Sequence, residues 1–76
     1  MSTLGKTIRN LRLKNRLSQA ALADLINIPS QSKISAWESD QSVPNLLEAQ
    51  KLCQVLGVSF DELLIVAHKN KIPNQF

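Results

Sequence analysis

Residues Leu17 to Glu38 read LSQAALADLINIPSQSKISAWE, and the reading of this stretch decides the fold. Ser18 offers a side-chain acceptor just before an apolar-periodic run, the pattern that opens a helix. That run covers about Gln19 to Ile26 and turns Leu22, Ala23 and Ile26 to one side. Asn27 stands where the chain must turn, and Asn tolerates positive φ better than most residues. Ile28 is expected to plug the turn. Pro29 stops the helix from continuing, because the residue before a proline avoids the α region. Ser30 is then expected to cap the next helix, which runs to about Ser39. Its first turn is polar (Gln31, Ser32, Lys33), and apolar residues arrive only at Ile34 and Trp37. A helix anchored at its back and polar at its front is shaped to push that front into a partner.

Three more helices flank this unit. The first covers about Leu4 to Asn15, with Leu4, Ile8 and Leu11 at helical spacing. After a polar loop from Ser39 to Pro44, Asn45 caps a helix over Leu46 to Leu56. Leu46, Ala49, Leu52, Cys53 and Leu56 are expected on its inner face. Gly57 suits the position just past a helix end. Ser59 and Glu62 have the S-x-x-E spacing of a capping box, opening a last helix from about Phe60 to Ala67. No segment reads as a strand. The expectation is an all-α, compact five-helix domain over residues 1–67, with 68–76 as a flexible tail.

Composition narrows the function. A chain of 76 residues allows one small core. One cysteine, Cys53, excludes an internal disulfide. With the single His68 it also excludes zinc-finger ligand spacing, so no metal is expected. No apolar run approaches the roughly 18 residues of a membrane span, and the N-terminus does not resemble a signal peptide, so a cytoplasmic location is expected. There is no nucleophile–base pair and no glycine-rich phosphate loop, which argues against an enzyme and against a bound cofactor. The charge is uneven. Residues 1–33 set six cations against Asp24, a net +5, whereas residues 34–76 set three against five acids, a net −2. A basic half fits a phosphate-facing side, and it equally fits short helices kept soluble by Lys and Arg. With the polar helix tip, the first candidate partner is the major groove of double-stranded DNA.

The ordered set Leu17-Ser18-Gln19, Leu22-Ala23, Ile34-Ser35, Trp37-Glu38, and Leu56-Gly57-Val58-Ser59 with Asp61-Glu62-Leu63-Leu64 resembles the lambda-repressor-like, Cro/C1-type (XRE) helix-turn-helix DNA-binding domains. The likeness covers roughly Leu4 to Leu64. It implies that helices two and three form the reading unit, with helix three in the major groove of a (pseudo)palindromic operator bound by a dimer. Carried over position by position, it puts Gln31, Ser32, Lys33 and Ala36 at the bases. It puts Gln19 at a phosphate; Ser30 and the basic Lys6, Arg9 and Arg16 are expected at phosphates as well, the cations taking up the electrostatic work. Arg12 and Glu38 match a structural ion pair between helices one and three. Ile65 and Val66, surplus to the inner face of helix five, are expected at a homodimer interface.

Two departures from the pattern stand out. Pro29-Ser30 occupy a place where relatives usually have one residue, and the loop Ser39-Asp40-Gln41-Ser42 has no cation.

Several residues have plainer readings. Trp37 is expected in the core with a rim touching solvent or DNA, and Cys53 as a small buried hydrophobe. His68 reads as a helix-end residue favoured by the macrodipole. Gln31, Ser32 and Lys33 taken alone could be a solvated helix start. The leading expectation is a small DNA-binding repressor without an effector domain. The alternatives are a DNA-binding antitoxin whose Lys69 to Phe76 segment binds a toxin protein, and a protein-interaction module that has lost DNA binding, which the acid at Asp40 favours.

Overall fold

Every helix start has a side chain that replaces a missing backbone partner. The computed structural model describes residues 3–67, with side chains within residues 3–63. It contains α1 (Leu4–Lys14), α2 (Gln19–Leu25), α3 (Gln31–Glu38), α4 (Leu46–Leu56) and α5 (Phe60–Ala67). The first N–H groups of a helix have no carbonyl to meet, so a polar side chain must accept from them. Thr3, Ser18, Ser30 and Asn45 do this for α1 to α4, accepting from the N–H of Lys6, Ala21, Ser32 and Glu48. Ser59 accepts from the Glu62 N–H at 3.0 Å while the Glu62 carboxylate accepts from the Ser59 N–H, which is the capping box expected for α5. A second box joins Asn45 and Glu48.

The helix exits share one device as well. Arg16, Asn27, Asp40 and Gly57 all have left-handed backbones, with φ of 59°, 60°, 64° and 75°. After each of them, an N–H reaches back five residues to the helix: Leu17 to Arg12, Ile28 to Ala23, Gln41 to Ala36 and Val58 to Cys53. This is the closure that satisfies the last carbonyls of a helix, and an apolar residue following the left-handed one commonly packs beneath it. Leu17, Ile28 and Val58 do so, each half-buried against the core. The expected plug at Ile28 is therefore one case of a repeated arrangement. Gln41, after α3, is the polar exception.

The core forms where these faces meet. Ile8, Leu22, Ala23, Ile26, Ile34, Trp37, Ala49, Leu52, Cys53, Leu56 and Leu63 are buried together. α1 packs on α3 and α5, α2 on α3, and α4 on α5. Burial also pushes the Cys53 thiol pKa up, with the charge of Glu62 adding to the effect. No helix among the described residues is long and apolar enough to cross a membrane.

Three expectations need correction. Leu46 is not on the inner face of α4: at the first position of that helix it is 67% exposed, beside the exposed Val43 and Leu47. Trp37 has no wet rim. It is 1% exposed, and its indole Nε1 has no hydrogen-bond partner. Asp40 is not simply an acid of an open loop: its carboxylate accepts from Thr3 Oγ1 at 2.8 Å and from the Gly5 N–H at 3.1 Å. His68 and the Lys69 to Phe76 segment lie outside the described residues, as do the side chains of Ile65 and Val66.

Candidate nucleic-acid interface

α3 is eight residues long. Isolated helices shorter than about 12–15 residues are marginal in water, so its position depends on what holds it. Ile34 and Trp37 sink its back half into the core. At its last residue, Glu38 accepts from Arg12 through both carboxylate oxygens, Nε to Oε2 at 2.6 Å and Nη2 to Oε1 at 3.1 Å. Arg12 Nη1 donates to the Leu17 carbonyl at 2.8 Å, tying in the turn before α2. Gln19 Nε2 donates to Glu38 Oε1 at 3.1 Å. One carboxylate thus joins α1, the first residue of α2 and the last of α3. The Glu38 hydrogen bond pushes the Arg12 guanidinium pKa further up, against the opposing effect of burial. The sequence pairing of Arg12 with Glu38 is present as expected. Gln19 is placed with this pair, so one of its amide hydrogens is already engaged.

A second tie was not legible as a motif. Asp40, just past α3, bonds to both Thr3 and Gly5 at the start of α1. The two backbones come so close that a Cβ at Gly5 would lie 2.6 Å from Asp40 Oδ1 and 2.9 Å from the Glu38 carbonyl, and closer still to that of Trp37. Gly5 is therefore a packing requirement. The only sequence signal was a glycine inside a helical pattern.

The front half of α3 is different. Gln31, Ser32 and Lys33 are exposed, Ser35 is exposed, and Ala36 is half-buried one turn on. Ser30 caps the helix, so the longer turn ends at Pro29 and the helix starts at Gln31. The additional residue is absorbed in the loop. Lys6, Arg9, Lys14 and Arg16 are exposed. Lys33 is paired: its Nζ lies 2.6 Å from Glu48 Oε2 on α4. That bond is the main cause of a Glu48 pKa below the usual glutamate value. Two of the six cations of the basic half, Arg12 and Lys33, are thus neutralised internally.

Two helices joined by a tight left-handed turn, the second anchored behind and polar in front, define a helix-turn-helix protein. The sequence profile of the helix-turn-helix family matches residues 8–63. The fold is similar to that of the P22 c2 repressor protein, whose crystal structure was solved in complex with synthetic operator 9T in the presence of Tl+. The two chains are 33% identical, the likeness covers 83% of this chain and 94% of the repressor chain, and the TM-score is 0.78. No curated protein matches the chain. The chain belongs to the lambda-repressor-like, Cro/C1-type helix-turn-helix family.

Proposed function

We propose that this protein is a DNA-binding transcription regulator, a repressor that holds a (pseudo)palindromic operator as a homodimer through the major groove. The observation that carries this reading is α3 itself, with its back half fixed by Ile34, Trp37 and the Arg12–Glu38 pair and its polar first turn exposed. The similarity to a repressor solved on an operator supports it.

In this reading Gln31 faces adenine, where its amide can make a bidentate contact, and Ser32 serves several bases. The Ala36 methyl packs on a thymine methyl. Lys33 reaches a guanine or a phosphate. Gln19, Ser30, Lys6, Arg9 and Arg16 take phosphates, which fix register without reading sequence. Two copies pair reciprocally through α5 at Ile65 and Val66. The protein needs no cofactor and works on the nucleoid in the cytoplasm.

Selection from random double-stranded DNA tests this most broadly. The expected result is an enriched motif of two half-sites about one helical turn apart, bound with an affinity that falls steeply with salt. Enrichment of nothing at low salt refutes DNA binding, and a single unpaired half-site refutes the dimer.

A further inference from the structure

The cation on the polar first turn of α3 is already paired within the fold. Lys33 stands on the first turn of α3 beside Gln31 and Ser32, and Glu48 on α4 holds it at 2.6 Å. The two partners are unequal. The Lys33 side chain is 51% exposed and that of Glu48 only 14%. Glu48 is also fixed at both ends of its capping box: its Oε1 accepts from the Asn45 N–H at 2.9 Å, and its own N–H donates to Asn45 Oδ1 at 2.8 Å. A stationary carboxylate therefore meets a flexible, outward ammonium.

We infer that Glu48 is a positioning residue that withholds Lys33 from DNA, competing with phosphate and base acceptors for the same ammonium. This rests on the DNA-binding reading above. Its chemistry is simple exchange. An ammonium is a compact point charge with rotatable donors, so it can leave one oxygen anion for another without moving the backbone. A pair this exposed is weak enough to be broken by a charged ligand. Each Lys33 captured by DNA exposes Glu48 unpaired, so the carboxylate subtracts from affinity. Built-in competition of this kind is a recognised route to discrimination between partners.

Glu48→Gln isolates the effect. Gln at the third position of a helix still accepts from the cap N–H, so α4 keeps its start. The charge that holds Lys33 is gone. Binding to a random-sequence duplex of about 20 base pairs, long enough for two half-sites, is measured across salt for wild type, Glu48→Gln, Lys33→Met and the double variant. The expected result is tighter binding by Glu48→Gln with a salt slope steeper by about 0.9, the value for one added phosphate contact. Between about 50 and 200 mM salt its affinity then falls about 3.5-fold more than that of wild type. In the Lys33→Met background the same substitution changes nothing beyond error.

Equal effects of Glu48→Gln with and without Lys33 overturn the proposal, since they mean direct repulsion of DNA by Glu48. No effect in either background overturns it as well. Wild type that binds no duplex at low salt removes the DNA reading itself, an outcome distinct from a wild type that binds but shows no coupling.

Discussion

The two ends of α3 have opposite construction. At the back, Ile34 and Trp37 are 0% and 1% exposed, and Glu38 and Asp40 reach α1 through Arg12, Thr3 and Gly5. At the front, Gln31, Ser32 and Lys33 face solvent, held by one hydroxyl cap and one exposed ion pair. A recognition element needs both. Its tip must be free to meet a partner, and its axis must not pivot when it does. Contacts behind the tip supply that rigidity, because an element this short does not support itself. Substitutions at the back are therefore expected to cost stability, and those at the front to cost binding.

Arg12→Ala breaks the back end most severely. It leaves the Glu38 carboxylate, 5% exposed, without its cation. Removing one partner of a buried pair typically costs about 3–5 kcal/mol. For a domain of this size each kcal/mol is roughly 4–8 °C in Tm. Thermal denaturation should show a fall well above 10 °C by that conversion, and an unchanged Tm contradicts the role given to the pair.

Gly5→Ala is the next test, and its sign is informative. In an ordinary exposed helix interior, Ala stabilises relative to Gly by about 1 kcal/mol. Here the methyl meets carbonyls from the end of α3, so a loss of about 1–3 kcal/mol is expected from overpacking. Denaturant unfolding that shows a gain means the α1–α3 approach is looser than described.

At the front, Gln31→Ala should leave stability within about 0.5 kcal/mol. Affinity for the selected site should fall by about 1–3 kcal/mol, with discrimination relaxed at one position of each half-site. A loss of Tm without a change in specificity would reverse the assignment of front and back.

The smallest effect belongs to Lys33 and Glu48. The folded-state pKa of Glu48 is lowered, chiefly by the hydrogen bond from Lys33. Its contribution to stability is therefore present above the ordinary glutamate range and is lost as pH falls through the lower folded value. Because Lys33 is half exposed, less than about 1 kcal/mol is expected. Carboxyl-carbon NMR titration should place Glu48 below the ordinary value, and Lys33→Met should bring it back towards that value. Identical titrations in the two proteins remove the pair.

Much of this division was legible in the chain. The caps at Ser18, Ser30, Asn45 and Ser59, the turn at Asn27 with its plug Ile28, and the exit at Gly57 follow from side-chain chemistry at fixed offsets, which sequence displays directly. The Arg12–Glu38 pair came through resemblance to a family. What escaped was long-range. Asp40 lies 37 residues from Thr3 and 35 from Gly5 in sequence, yet the three form one contact. No local pattern announces such an approach. Asp40 in isolation reads as an unwanted acid in a loop expected to be basic. The left-handed backbones at Arg16 and Asp40 were equally hidden, because neither residue type demands that conformation. Leu46 failed for a simpler reason: at the first turn of α4 the apolar stripe runs past the edge of the core.

The most direct test of the central claim is an amide NMR titration of the folded protein with its selected duplex. The account predicts the largest shifts at Ser30 to Ala36 and around Gln19, with Ile34 and Trp37 side-chain signals and the α4 core residues Leu52 and Leu56 nearly unmoved. Shifts centred on α4 and α5, with the first turn of α3 silent, would contradict it.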